Sequence, residues 1–293
     1  LVRPFRRSLS EDLARRETRL SCAGALHHKT GRIMHLAIVQ TSPVFGKVQE
    51  NVQAALELME SMPADLYVLP ELFNTGYNFI EIPEVERVAE QTEGPTFQAL
   101  QAFAQKRICH IAYGFAEKAD QLYNSAALIG PSGLVGLYRK VHLFDREILF
   151  FQPGNLGFPV FDLPFGRIGM MICFDWIYPE AARALAIRGA QLIVHPSNLV
   201  LPYCPDAMVT RCLENRIFAA TADRVGRENR GSLDLQFIGT SEIVSPQGEI
   251  LARLDKDKPG IVAVNVDLHR ADKKKINQYN DLIADRKPDQ YSR

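Results

Sequence analysis

The sequence predicts an α/β protein of four layers, an α-β-β-α sandwich made of two pseudo-duplicated halves. Three observations carry that expectation. From Met34 onward, short apolar runs bounded by turn residues alternate with stretches of helical period, the pattern of strands joined by crossover helices. That order then recurs in the second half of the chain. Two pairs of segments also match in wording: Asp65–Glu71 (DLYVLPE) with Gln191–Ser197 (QLIVHPS), and 126–140 (AALIGPSGLVGLYRK) with 241–256 (SEIVSPQGEILARLDK). Each half gives a sheet with helices on one face, and the two sheets bury their remaining apolar faces against each other.

Taken in order, His35–Gln40 reads as a strand, and Asn51–Met62 sets Val52, Ala55, Leu56 and Met59 at helical spacing. Asp65–Leu69 is a continuous apolar strand entering Pro70-Glu71. Gly94-Pro95 opens a helix through about Lys106, Ile108–Ala116 is a strand, and Leu122–Ile129 and Leu134–Tyr138 flank the turn Gly130-Pro131-Ser132-Gly133 as a hairpin. In the second half, Arg167–Ile172 reads as a strand, Pro179–Arg188 as a helix, Gln191–Val194 as a strand and Asp206–Thr221 as a helix, followed by a polar helical tail over His269–Arg293. One domain over 34–285 is expected, with 286–293 as a polar C-terminal tail. Residues 1–33 are arginine-rich without hydrophobic periodicity and read as a disordered extension or a mis-called start. Glu11, Asp12 and Glu17 weigh against a transit peptide there.

Acidic and basic residues balance at 34 each, which argues against an electrostatic footprint for nucleic acid or an anionic membrane. No apolar run is long enough to span a bilayer. The five cysteines are odd in number and form no CxxC pair, so neither a zinc site nor a disulfide framework is suggested, and a reducing compartment, the cytoplasm, is expected. The glycines form no Walker or dinucleotide fingerprint and the histidines no HExxH, so no cofactor and no metal are expected. His142 and His195 lie in apolar strand-like runs and read as structural.

Four residues can carry chemistry. Cys173 ends the buried run Arg167–Ile172 just before a turn and the helix at Pro179. A cysteine at a strand's carboxyl end projects into a crevice, where a helix N-terminus or a cation lowers its pKa. The bland alternative is a buried core thiol, which also fits Cys109 and Cys212; Cys204, in a loop between Pro202 and Pro205, has no assigned role. Glu71 follows a buried strand, where desolvation lets a carboxyl take and return protons near neutrality, or it is a helix N-terminal acid. Lys140 can stabilise an oxyanion or be a solvated strand-end lysine, although neighbouring Arg139 suits the solvated role better. Glu147 can orient Lys140 or sit on the surface. Phe73, Tyr77, Trp176 and Tyr203 stand near these loops and can wall a compact pocket, with core packing as the default for aromatics.

The segments PELFNTGY (70–77), YRKVHLF (138–144) and ICFDWIYPEAAR (172–183) resemble, in this order, the glutamate, lysine and cysteine motifs of the carbon–nitrogen hydrolase (nitrilase) superfamily. The wording looks closest to thermophilic archaeal nitrilase-like members. The similarity runs from about Met34 to about Asp285 and includes HPSNLVLPY (195–203) and RCLENRIFAATADRVG (211–226). It implies Glu71 as general base, Lys140 as oxyanion-stabilising cation, Cys173 as nucleophile, Glu147 as a second glutamate and the Phe174 backbone N–H as a further oxyanion donor. The reaction expected is hydrolysis of a nonpeptide C–N bond in a small amide or nitrile through a cysteine thioester, releasing ammonia and a carboxylic acid. Two alternatives stay open: an N-carbamoyl amidohydrolase, which wants a carboxylate-binding arginine such as Arg183 or Arg211, and a catalytically silent binding protein on the same fold. The resemblance also implies a homodimer or higher homo-oligomer, paired through Pro179–Arg188 and Asp206–Thr221.

Overall fold

Met34–Gln40 forms the first strand, β1, and Val48–Glu60 the first helix, α1, whose Val52, Ala55 and Met59 recur at helical spacing and are buried. The computed structural model describes residues 33–291. The expected extension, apart from Ile33, therefore lies outside the described residues. The chain continues through β2 (Leu66–Val68), α2 (Ile82–Val88), α3 (Pro95–Arg107) and the antiparallel run β3 (His110–Lys118), β4 (Leu122–Gly130) and β5 (Gly133–Arg139). The second half holds β6 (Val160–Leu163), β7 (Gly166–Met170), α4 (Pro179–Ile187), β8 (Leu192–Pro196), α5 (Cys204–Asn215) and β9 (Phe218–Ala222). Two hairpins, β10 (Arg227–Arg230) with β11 (Leu233–Gln236) and β12 (Glu242–Val244) with β13 (Ile250–Arg253), precede β14 (Gly260–Val266).

The strands form two six-stranded sheets, ordered β14-β1-β2-β3-β4-β5 and β6-β7-β8-β9-β12-β13, with β10–β11 apart. Along each sheet the pairings run antiparallel, parallel, parallel, antiparallel, antiparallel. The duplication expected from the sequence is thus present in the hydrogen bonds: β2 corresponds to β8, and the hairpin β4–β5 to β12–β13. Ala37, Val39, Tyr67, Ile111 and Tyr113 face α1 and α3, whereas Leu36, Ile38, Leu66, Val68 and Leu128 point the other way, into a core shared with Ile168, Met170 and Leu192. Strands β1 to β3 lie on β8 and β9, and α4 and α5 cover the outer face of the second sheet. The four layers follow from this alternation. Among the described residues no helix is long and apolar enough to cross a membrane.

Three expectations need correction. The second-half helix begins at Cys204, with Pro205 in its first turn, and stops at Asn215, where Arg216 takes a left-handed conformation. Phe218–Ala222 is then a strand and not the end of that helix. It is buried on both faces between β8 and β12, so its small apolar residues show no alternation that would distinguish strand from helix. His269–Arg293 is not an α-helix as far as Tyr291, where description ends. Only short 3-10 turns occur, at Leu268–Asp272 and Pro288–Gln290, because beyond Ala271 the segment has no apolar stripe to bury. β3 starts at His110 because Ile108 ends α3 with φ 54° and is 79% exposed. A β-branched residue is strained there. Ile108→Gly is expected to stabilise the fold by about 1 kcal/mol, read as a raised midpoint in urea unfolding.

Candidate active site

Glu71 is placed by a close backbone approach. Beyond β2, the Leu69 N–H donates to the Ala112 carbonyl at 2.8 Å and the Gly114 N–H to the Pro70 carbonyl at 3.1 Å, so the chain stays against β3 as it leaves the sheet. A side chain at Gly114 would put its Cβ 2.5 Å from the Glu71 Cα, so only glycine permits this crossing. Leu72 then takes φ 46° and turns the chain away. The Glu71 carboxylate is fully buried, and its Oε1 accepts hydrogen bonds from Lys140 Nζ and Asn124 Nδ2, both at 2.7 Å.

Lys140 leaves β5 with its N–H donating to the Asn124 carbonyl at 2.8 Å. Its ammonium, also fully buried, donates at 2.7 Å to Glu71 and at 2.7 Å to Glu147 Oε1. Glu147 sits in the 3-10 turn Asp145–Leu149 and accepts the Tyr77 hydroxyl at 2.6 Å. Tyr77 is held from below by Glu228, which accepts its N–H at 3.1 Å and that of Asn78 at 2.7 Å, and is itself paired with buried Arg224. One cation therefore stands between two buried acids.

Cys173 follows β7 and opens the 3-10 turn Cys173–Ile177 with φ 40°, a left-handed conformation rare for any residue but glycine. It is 5% exposed, and its Sγ lies 3.7 Å from the Asn198 carbonyl oxygen. Burial pushes the Cys173 thiol well above its ordinary value, Glu71 and Glu147 add to the rise, and Lys140 opposes it. These mutual effects put Cys173 within electrostatic reach of all three side chains. Burial likewise pushes the Glu71 carboxyl up to about 7, Lys140 opposing and Glu147 adding. For Lys140, burial pulls the ammonium down, but Glu147 and Glu71 outweigh it and leave the pKa raised. At neutral pH the arrangement is a protonated thiol, a permanent cation and a carboxylate poised to exchange a proton.

The structure brings Glu71, Tyr77, Lys140, Glu147 and Cys173 together. Phe174 packs its ring on Phe144 and Tyr178, and its N–H lies in the first turn of the 3-10 segment, where such groups have no partner within the turn. Trp176 is buried beside Cys173, its carbonyl accepting from Arg211 at 3.2 Å. Phe73 is not at this site, because the left-handed Leu72 sends it into the helix-side core against Tyr113. Tyr203 is 64% exposed at the start of α5. Arg139 departs from its expected solvated role: its side chain is 12% exposed, forks onto Glu117 at 2.7 and 2.8 Å and lies over the Tyr123 ring. Arg183 and Arg211 are both engaged with Glu214. A roomier hollow of about 690 Å³, lined by Lys47, Arg87, Glu90 and Lys118, holds none of the site residues.

Sequence reasoning did not single out Asn124, which pairing of β4 with β3 and β5 brings under Glu71, nor Asn198, whose buried carboxamide has no hydrogen-bond partner among the described residues. The same holds for Glu71 Oε2. Asn198 falls within the segment 195–203 that shares in the resemblance, though nothing there marks it as a site residue, and no pattern marks Asn124.

A family model described as carbon–nitrogen hydrolase matches residues 35–275. A nitrilase from Pyrococcus abyssi is 46% identical over 266 residues, covering 89% of this chain and 100% of that protein. An omega-amidase from Homo sapiens is 33% identical, covering 88% of this chain and 96% of its own. A solved structure of a mutant amidase from Nesterenkonia sp. AN1 superposes with a TM-score of 0.71 at 26% identity, covering 88% of this chain and 95% of that one; it shows the acetamide moiety of fluoroacetamide added covalently at the active-site cysteine. On these matches, together with the two-sheet α/β fold they share, the chain belongs to the carbon–nitrogen hydrolase family and is a hydrolase of carbon–nitrogen bonds.

Proposed function

We propose that this enzyme hydrolyses small amides through a thioester on Cys173. The observation that carries this is the burial of a thiol within electrostatic reach of one lysine shared by two carboxylates. Glu71 takes the thiol proton as the sulfur attacks the amide carbon. Lys140 and the Phe174 N–H hold the developing oxyanion, and Glu147 keeps Lys140 in place. The proton passes to the departing nitrogen, ammonia leaves, and Glu71 then draws a proton from water as it attacks the thioester, freeing the acid and the thiol. The covalent adduct on the cysteine of the Nesterenkonia amidase supports the same bond-forming atom here.

Amide is favoured over nitrile by Asn198. Its main-chain carbonyl lies 3.7 Å from Cys173 Sγ, and its unpartnered carboxamide offers a donor and an acceptor that an amide can match with its own acceptor and donor, whereas a nitrile offers only an acceptor. Asn198→Leu is expected to cost about tenfold more in kcat/KM on an amide than on the matching nitrile, the worth of one hydrogen bond. An equal loss on both would remove this preference. An N-carbamoyl amino acid is the less favoured substrate, since Arg211, one of the two candidate carboxylate-binding arginines, is engaged with the Glu214 carboxylate and the Trp176 carbonyl. A panel of short amides, nitriles and carbamoyl amino acids, scored by ammonia release, tests the assignment; no release from any amide would refute it.

Glu71 must be ionised to accept the thiol proton, so kcat/KM is expected to rise with pH through about 7 and level off above it. Glu147→Gln removes a charge that raises the Glu71 pKa, so the midpoint should move to lower pH. An unmoved midpoint would detach Glu147 from Glu71.

We also propose a homodimer. Ala181, Ala182, Leu185, Met208 and Cys212 are buried in their own chain, so the pairing surface is the neighbouring apolar set Ile177, Tyr178, Leu201 and Tyr203, which is exposed. A monomer mass in light scattering at micromolar concentration, with full activity, would exclude it. A nucleophile that must stay a free thiol fits a reducing compartment, and we assign the cytoplasm.

A further inference from the structure

The strained turn at Cys173 is gripped on both sides by groups outside the glutamate, lysine and thiol set. On the near side, the Ile172 N–H donates to Asp175 Oδ2 at 2.9 Å. On the far side, His195 Nε2 lies 2.9 Å from the Cys173 carbonyl oxygen. Both residues are fully buried.

Asp175 does more than close its own turn. The Tyr138 hydroxyl donates to it at 2.6 Å, and His142 donates twice, from its main-chain N–H at 3.2 Å and from Nδ1 at 2.7 Å. Tyr138 and His142 flank Lys140 by two residues on either side. A single carboxylate thus links the segment that carries the thiol to the segment that carries the ammonium. His142 is further fixed by stacking on Tyr178, with ring centroids 3.7 Å apart, at the other end of the thiol's turn.

His195 stands on β8, beneath the turn. Burial holds its imidazole down to about 4, so it is neutral and carries one N–H. The Cys173 carbonyl oxygen can only accept, so that proton sits on Nε2. Nδ1 then accepts the Thr221 hydroxyl at 3.0 Å from β9, which fixes the tautomer and the ring plane.

We propose that Asp175 and His195 are positioning residues: together they hold Cys173 in its left-handed conformation and set its place relative to Lys140, without touching substrate. This rests on the assignment of Cys173 as nucleophile. Misplacing a reacting atom by about 1 Å can cost on the order of a hundredfold, so the grip should be visible in rate. The test compares His195→Leu, which removes the donor, with His195→Gln, which keeps an N–H near the Nε2 position, and with Asp175→Asn and Tyr138→Phe. Each is measured for kcat, KM, the rate of Cys173 alkylation by iodoacetamide, the pH midpoint of kcat/KM, and melting temperature. His195→Leu and Asp175→Asn are expected to lose about 10- to 100-fold in both kcat and alkylation rate with little change in KM, and Tyr138→Phe less. His195→Gln should recover most of the loss, and the pH midpoint should stay with Glu71 throughout.

Folded His195→Leu or Asp175→Asn with wild-type alkylation and kcat overturns the proposal. So does a His195→Gln variant as impaired as His195→Leu, or a His195 variant that shifts the pH midpoint, which would make the imidazole a proton-transfer group. Should His195→Leu or Asp175→Asn not fold, His195→Gln and Tyr138→Phe carry the test: alkylation unchanged in Tyr138→Phe and lost in His195→Gln overturns it. Cys173→Ala in parallel separates the two claims, because turnover in that variant would refute the nucleophile assignment itself, whereas its loss beside unimpaired positioning variants refutes only the grip.

Discussion

Cys173→Ala should lose at least about 10⁵-fold in kcat while remaining folded. Alanine tolerates φ 40° no worse than cysteine, so the turn keeps its strain, and only one sulfur is removed from a nearly closed site. Among the described residues no other thiol replaces it: the charges acting on Cys204 and Cys212 are Asp223, Glu242 and Arg211, and neither Glu71 nor Lys140 is among them. Cys173→Ser should be nearly as inactive, because a carboxylate that exchanges its proton near 7 is too weak a base for an alcohol. The decisive measurement is single-turnover ammonia release together with intact-mass detection of an acyl adduct in the wild type. Turnover by either variant at a tenth of the normal rate would sink the mechanism.

Lys140→Met should be damaging twice over. Removing the ammonium takes away the oxyanion's cation, worth on the order of 10²–10³ in kcat. It also leaves Glu71 and Glu147 facing each other in a buried space, and breaking a buried ion pair from one side costs about 3–5 kcal/mol. The pH dependence of that cost has a definite sign. In the native enzyme the Glu71 carboxyl already sits at about 7, above its ordinary value, so its contribution to stability is complete at low pH and is lost as pH rises through 7. Lys140 opposes the rise, and without it the carboxyl goes higher still. The stability deficit of Lys140→Met should therefore be small near pH 5 and grow toward pH 8. Urea unfolding at both values decides it: equal deficits, or a larger one at pH 5, would show that the carboxylates do not depend on Lys140.

The chemistry was more legible than the architecture that aims it. Glu71, Lys140 and Cys173 each stand where an apolar run ends, and that is visible in one dimension because a charged or nucleophilic residue there is out of place. Asn124 is 53 residues from Glu71 and meets it only through the register of β3, β4 and β5, which no local pattern encodes. His195 reads as structural from its apolar run, and its bond to the Cys173 carbonyl depends on β8 lying parallel beside β7. Phe73 turns away from the site because the left-handed Leu72 stands between it and Glu71, and nearness in sequence to a motif does not fix side-chain direction. β9 was hidden by its composition, since an alanine-rich strand buried on both faces has the apolar content of a helix and no alternation.

The last strand has a bearing on how the chain is made. β14 pairs along the whole of β1, Met34 opposite Val266 and Gln40 opposite Gly260, so the first sheet lacks this edge strand until synthesis has reached Val266. At about 5–20 residues per second, the ribosome takes roughly ten seconds to just under a minute to pass from one to the other. Through that interval β1, with Leu36, Ile38 and Val39 destined for burial, offers an unpaired hydrogen-bonding edge to any neighbouring nascent chain. Yield in the cell should therefore depend on chaperone holding during synthesis more than on the stability of the finished enzyme, and truncations that spare every site residue but remove 260–266 should be recovered as aggregate.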